Sequence, residues 1–104
     1  MQFIYALKAV RLEMLTDAPT TDEVDVLQAH GQYLADMASR DQVLLAGRTQ
    51  TADAQTFGIV IVAADGEAQA RRVMDEDPAV AAGVMTATLY PFQIAMLSQA
   101  IGAA

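Results

Sequence analysis

The sequence predicts an α+β domain of ferredoxin-like topology: a four-stranded antiparallel sheet with two helices packed on one of its faces. Three observations lead there. Apolar residues alternate with the period of a strand in four separate stretches, and two other stretches repeat with the period of a helix. The six follow one another as β-α-β-β-α-β, the order of two split β-α-β units.

The first stretch, MQFIYALKAV, sets Phe3, Tyr5 and Leu7 against Ile4, Ala6 and Val10, a strand apolar on both faces. RLEMLTDAPT loses that alternation, carries Asp17 and Pro19, and reads as a loop. A helix begins at Thr20, which precedes Glu23 with the spacing of a capping box. At about 100° per residue, Tyr33, Val26, Met37, His30, Leu34 and Leu27 fall on one inward stripe, with His30 in its middle. Ser39-Arg40-Asp41 closes this helix.

QVLLAGRTQ is a strand ending at Gly47 or just after it, and TFGIVIVAA is the most strand-like run of the chain. TADAQ between them is turn-like and joins the two as an antiparallel hairpin. Asp65-Gly66 introduces the helix EAQARRVM, with Ala70, Val73 and Met74 on one face. DEDP ends it, because proline disfavours helix in the residue before it. AVAAG adds one turn, stopped by Gly83. VMTATLYPF is the last strand, with Thr86, Thr88 and Tyr90 opposite Met85, Ala87 and Leu89, and with Pro91 as its end. Residues 1–104 form one domain, with its core in 1–92 and an apolar tail of helical character in 93–104.

Phe57, Ile59, Ile61 and Ala63 alternate with Gly58, Val60, Val62 and Ala64, so neither face of this strand is polar. Helices cover only one face. Leaving the other wet would expose more contiguous apolar surface than soluble monomers usually tolerate. Burial at ~25 cal/mol per Å2 against a second copy removes it. A homodimer or higher oligomer packed sheet to sheet is therefore expected.

Composition narrows the function. The 104 residues are 54% hydrophobic and 18% charged, in keeping with a globular chain. Six basic and thirteen acidic residues give a net charge of −7, and the basic ones are scattered. Nucleic acid and anionic membranes, which bind clustered lysine and arginine, are not expected partners. The apolar N-terminus lacks a basic leader and a small-residue cleavage site, and no apolar run approaches the ~20 residues of a membrane span. A cytoplasmic location is expected. Without cysteine there is no thiolate nucleophile and no zinc-finger pattern. One histidine among scattered carboxylates offers no metal-ligand spacing, phosphate-binding glycine loops are absent, and no cofactor is expected.

His30 admits two readings. It is a core histidine bonded to a carbonyl or a tyrosine, or it is a general acid or base at the floor of a cleft between helix and sheet. Asp77 precedes Pro78 as an N-cap precedes a first helical residue; it is purely structural there, or it also orients the imidazole as the carboxylate of an acid–base dyad. Asp75 and Glu76 read as a solvated face. In AGRT, Gly47 lets a ligand approach the backbone. Arg48 is suited to a carboxylate or phosphate, or to a surface or intersubunit ion pair, and Thr49 offers a hydrogen bond. No serine sits in a nucleophile elbow.

HGQYL, then LLAGR, then DEDPAVAAGVMTATLYPF together resemble the YCII-related (YciI-like) domain family, over Phe3 to Phe92. The resemblance implies a ferredoxin-like fold dimerising as an α+β barrel, a small-molecule ligand, and a site built on a histidine and an aspartate, here His30 and Asp77. Tyr33, Gly47, Arg48 and Thr49 are then the expected substrate contacts. Acid–base chemistry of the lyase or isomerase type follows as the expected activity. Arg48 departs from the pattern, which commonly has a small residue or proline there, and Asp41 replaces a common glycine. Two further readings stand beside the enzyme. One is a non-catalytic ligand-binding or protein-interaction module with His30 in its core; the other is a structural subunit using Ile94 to Ile101 to hold another protein.

Overall fold

A strand that is apolar on both faces belongs in the middle of a sheet, and β1 (Gln2–Ala9) is there. In this computed structural model, which describes residues 1–101, the sheet order is β2-β3-β1-β4, with β2 at Val43–Arg48, β3 at Gly58–Ala63 and β4 at Met85–Phe92. Every neighbouring pair is antiparallel. The helices are α1 (Thr21–Ser39), α2 (Glu67–Glu76) and a single turn, α3 (Pro78–Ala81). Phe3, Tyr5 and Leu7 of β1 and Val60 and Val62 of β3 are buried against Met37 of α1 and Ala70, Val73 and Met74 of α2. The α+β architecture expected from the pattern is the one observed. Among the described residues no helix is long and apolar enough to cross a membrane.

α1 starts where its cap is. The Thr20 hydroxyl accepts from the Glu23 amide at 3.1 Å, and the Glu23 carboxylate accepts from the Thr20 amide at 2.9 Å. Glu23 also takes the Arg11 guanidinium, at 2.6 Å from Nη2 and 3.1 Å from Nε. The Arg11 hydrogen bonds, with that from the Thr20 amide, bring its carboxyl down to about 2. Arg11 thus ties the segment after β1 to the head of α1.

Three expectations are corrected. The stretch expected to be an irregular loop contains a 3₁₀ turn, Leu12–Leu15, that buries Met14; its apolar residues needed a place in the core that a loop reading does not supply. Pro91 does not end the last strand, which continues to Phe92 with Pro91 opposite Phe3. Proline is tolerated because β4 is an edge strand, where the outward amide has no ladder partner to lose. The tail forms no helix in residues 93–101. Instead the Ile94 amide donates to Gln2 Oε1 at 2.7 Å, and Ile94, Met96 and Leu97 lie beside Leu45 and Ile61 on the sheet face away from the helices. Residues 102–104 of the expected tail helix lie outside the described residues.

One local device positions the rest. α2 ends at Glu76, and Asp77 caps the next turn by accepting from the Ala79 amide at 3.0 Å, with Pro78 as first residue. Gly83, at φ +75°, stops that turn. Its amide donates to Val80 O and the Val84 amide to Ala79 O, the paired bonds of a Schellman ending. A one-turn helix capped at both ends therefore holds Asp77 rigidly between α2 and β4.

Candidate functional site

Asp77 is a carboxylate with no exposed surface, a condition that demands partners. It has three. The Tyr5 hydroxyl donates to Oδ2 at 2.8 Å, the Ala79 amide donates to Oδ1 at 3.0 Å, and His30 Nδ1 stands 2.6 Å from Oδ1. These come from the central strand, from Asp77's own helical turn and from α1. No buried side-chain nitrogen or oxygen among the described residues is left without a partner.

Burial first, and then the charge and hydrogen bond of Asp77, push the Tyr5 phenol far above its ordinary value. It therefore stays protonated and stays a donor. Tyr33 is pushed up to about 12, by burial first and then by Asp77 and Glu76.

The His30 side chain is 16% exposed. Because a carboxylate only accepts, the ring nitrogen facing Asp77 carries the hydrogen. Nε2 has no hydrogen-bond partner among the described residues and is not a buried orphan, so it opens to solvent. The ring lines a cavity of about 330 Å3, within the size range of small-molecule sites. Leu7, Leu27 and Met85 make much of its wall, while His30, Arg48 and Thr56 supply polar groups.

Arg48 reaches this cavity through a β-bulge. Val43 pairs with Val62, but Leu45 pairs with the adjacent Ile61, so Leu44 is an extra residue in β2. Simple alternation from the inward Val43 would send residues 45 and 47 inward and residue 48 outward. The extra residue reverses this. Arg48 pairs with Gly58 and stands on the helix side beside Leu7, while Gly47 pairs with Ile59 on the far side. Among the described residues Arg48 has no ion-pair partner.

Of the residues expected at a site, His30 and Asp77 come together and Arg48 shares the His30 cavity. Gly47, Tyr33 and Thr49 do not line it. The Tyr33 hydroxyl donates to Val73 O at 2.7 Å, joining α1 to α2. Thr49 closes the hairpin loop, its amide donating to Phe57 O at 2.9 Å and its hydroxyl accepting from the Phe57 amide at 3.1 Å. Asp75 and Glu76 are exposed. Sequence reasoning missed Tyr5 as a holder of Asp77. Its one signal is the hydroxyl-bearing ring at an inward position between Phe3 and Leu7 of the central strand. Thr56, nearly buried in the hairpin loop, was missed also.

Residues 7–93 match the family described as the YCII-related domain. No curated protein matches the chain. Among solved structures, the chain is similar to 5-chloro-2-hydroxyhydroquinone dehydrochlorinase from Burkholderia phenoliruptrix AC1100, in complex with 2,5-dihydroxybenzoquinone. The TM-score is 0.66 at 17% identity, covering 89% of this chain and 94% of that one. At that identity the likeness is one of fold.

Tyr5→Phe should destabilise the protein by about 1.5–3 kcal/mol in urea unfolding near neutral pH, the worth of a hydrogen bond to a charged group. An unchanged midpoint would mean that Tyr5 does not hold Asp77. The alkaline limb gives a second check. Tyr5 and Tyr33 ionise at higher pH folded than unfolded, so the stability they lend is full below pH 10 and falls as pH rises above it. The decline between pH 10 and 12 should be shallower in Tyr5→Phe than in the wild type.

Proposed function

The chain belongs to the YCII-related domain family, and on that premise we propose that it is a small-molecule enzyme moving a proton with the His30–Asp77 pair. The observation that carries this is the 2.6 Å approach of His30 Nδ1 to a carboxylate with no exposed surface, with the ring lining the cavity and Nε2 without a partner among the described residues. With hydrogen on Nδ1, the neutral ring keeps its lone pair on Nε2, the atom a bound molecule meets. Nε2 takes a proton from that molecule or returns one as a bond is made or broken. Asp77 holds the ring in its tautomer and stabilises the imidazolium that forms in between. Tyr5 and the Ala79 amide keep the carboxylate from turning away.

The fold is one that also carries a dehydrochlorinase solved with a dihydroxybenzoquinone. Lyase- or isomerase-type chemistry on a small hydroxylated or carbonyl-bearing molecule is in keeping with that likeness and with the cavity. A binding module with a core histidine would seal the ring from water; the open, partly polar cavity at His30 favours the enzyme.

The far face of the sheet supports a second element of the proposal, a homodimer packed through it. Ile4 and Ile59 are half-buried there and Tyr90 is 51% exposed, so the tail covers only part of an apolar face. Light scattering should give twice the 11.1 kDa mass of the chain, and a single-chain mass would contradict the dimer.

Because the chain has one histidine, diethyl pyrocarbonate labels the proposed base without ambiguity. The wild type should be carbethoxylated at His30, and a substrate should protect the ring. His30→Gln should still fold cooperatively, at a lower melting temperature, and lose turnover of that substrate. Turnover kept by His30→Gln, or an imidazole that the reagent cannot reach in the folded protein, would overturn the proposal.

A further inference from the structure

The cavity at His30 is apolar over most of its wall, yet it includes an arginine with no counterion among the described residues, in a chain of net charge −7. An acidic protein repels anions at long range, so it captures one only where a cation is held locally. The Leu44 bulge turns Arg48, and no other cation of the hairpin, to the helix side. Opposite it Gly58 has no side chain. A Cβ there would stand 3.3 Å from Gly47 O, 3.8 Å from Leu7 Cβ and 3.9 Å from Arg48 Cβ. The 3.3 Å approach is tighter than an ordinary contact, so glycine is what the close hairpin pairing accepts there. The row Leu7–Gly58–Arg48 across three strands sets an apolar side chain and a cation on either side of a residue with no side chain.

We propose that Arg48 is the specificity residue of this cleft, and that the molecule it selects is a compact planar monocarboxylate with an apolar body, such as an aromatic acid. This rests on the cleft being the substrate site of the His30–Asp77 pair. The guanidinium presents a planar fork that matches a carboxylate. Leu7, Leu27 and Met85 receive the apolar body. An apolar cavity of roughly 150 Å3 holds benzene, so the volume here admits one ring with its substituents. A phosphate ester is disfavoured, since among the described residues no second arginine or lysine lines the cavity to meet its second charge. The substrate acid group would be anchored at Arg48 while His30 Nε2 works on another part of the same small molecule.

The test uses benzoate, its uncharged analogue benzamide, and inorganic phosphate, each titrated calorimetrically into the wild-type protein and three variants. Benzoate should bind the wild type at least about tenfold more tightly than benzamide, the scale of a lost charge-assisted hydrogen bond. Arg48→Gln should abolish that difference, Arg48→Lys should restore part of it, and His30→Gln should keep it. The inference is overturned if benzoate binds Arg48→Gln as well as the wild type, if no benzoate binds, or if phosphate binds more tightly than benzoate. Failure of the proton-transfer proposal has a different signature. Benzoate binding would then depend on Arg48 without protecting His30 from diethyl pyrocarbonate.

Discussion

A carboxylate removed from water is the constraint around which this small fold is arranged. Asp77 has no exposed surface, and a charge in that position is tolerable only when its lone pairs are met. The three groups that meet them come from the middle strand, from the turn that Asp77 itself caps, and from the long helix. Removing any one leaves the charge under-solvated, so the interaction that orients the imidazole also helps to hold three elements together. Structure and chemistry share the same atoms. That is why a residue with an ordinary structural role, an N-cap ahead of proline, is also the natural partner of the one histidine in the chain.

The cavity depends on a second constraint, the irregularity of β2. A regular strand would place Gly47 toward the helices and Arg48 on the far face. One extra residue at Leu44 exchanges them. The bulge therefore decides the charge of the cleft, since among the described residues Arg48 is the only arginine or lysine in its lining. On the opposite face the same shift brings Leu45 beside Ile61, where the tail crosses. A single backbone feature thus sets what the cleft can bind and what the far face of the sheet presents.

Local signals were legible in the sequence and long-range ones were not. Thr20 with Glu23 announced the start of α1, and Asp77-Pro78 with Gly83 announced the capped turn, because capping chemistry is written within a few residues. The inward stripe of α1 located His30 because helical periodicity fixes a face. The bulge was invisible, since LLAG is apolar or small throughout and either register looks acceptable. Tyr5 could not be tied to Asp77, seventy-two residues away, without knowing that β1 lies at the centre of the sheet. The 3₁₀ turn and the run of β4 through Pro91 depend on tertiary surroundings that a local pattern does not carry. The residues offered the pairing of His30 with Asp77 as one reading and the family resemblance implied it, and geometry then identified Tyr5 and Ala79 as what holds the aspartate.

The most direct test is the proton on the ring. With one histidine in the chain, a two-dimensional nitrogen-15 spectrum of the imidazole reports a single residue, and the neutral tautomer can be read from its two nitrogen shifts. Hydrogen on Nδ1 and a lone pair on Nε2 are expected in the wild type, with that preference lost in Asp77→Asn. A neutral ring protonated at Nε2 in the wild type would mean that Asp77 does not orient the imidazole, and the proton-transfer mechanism would lose its foundation.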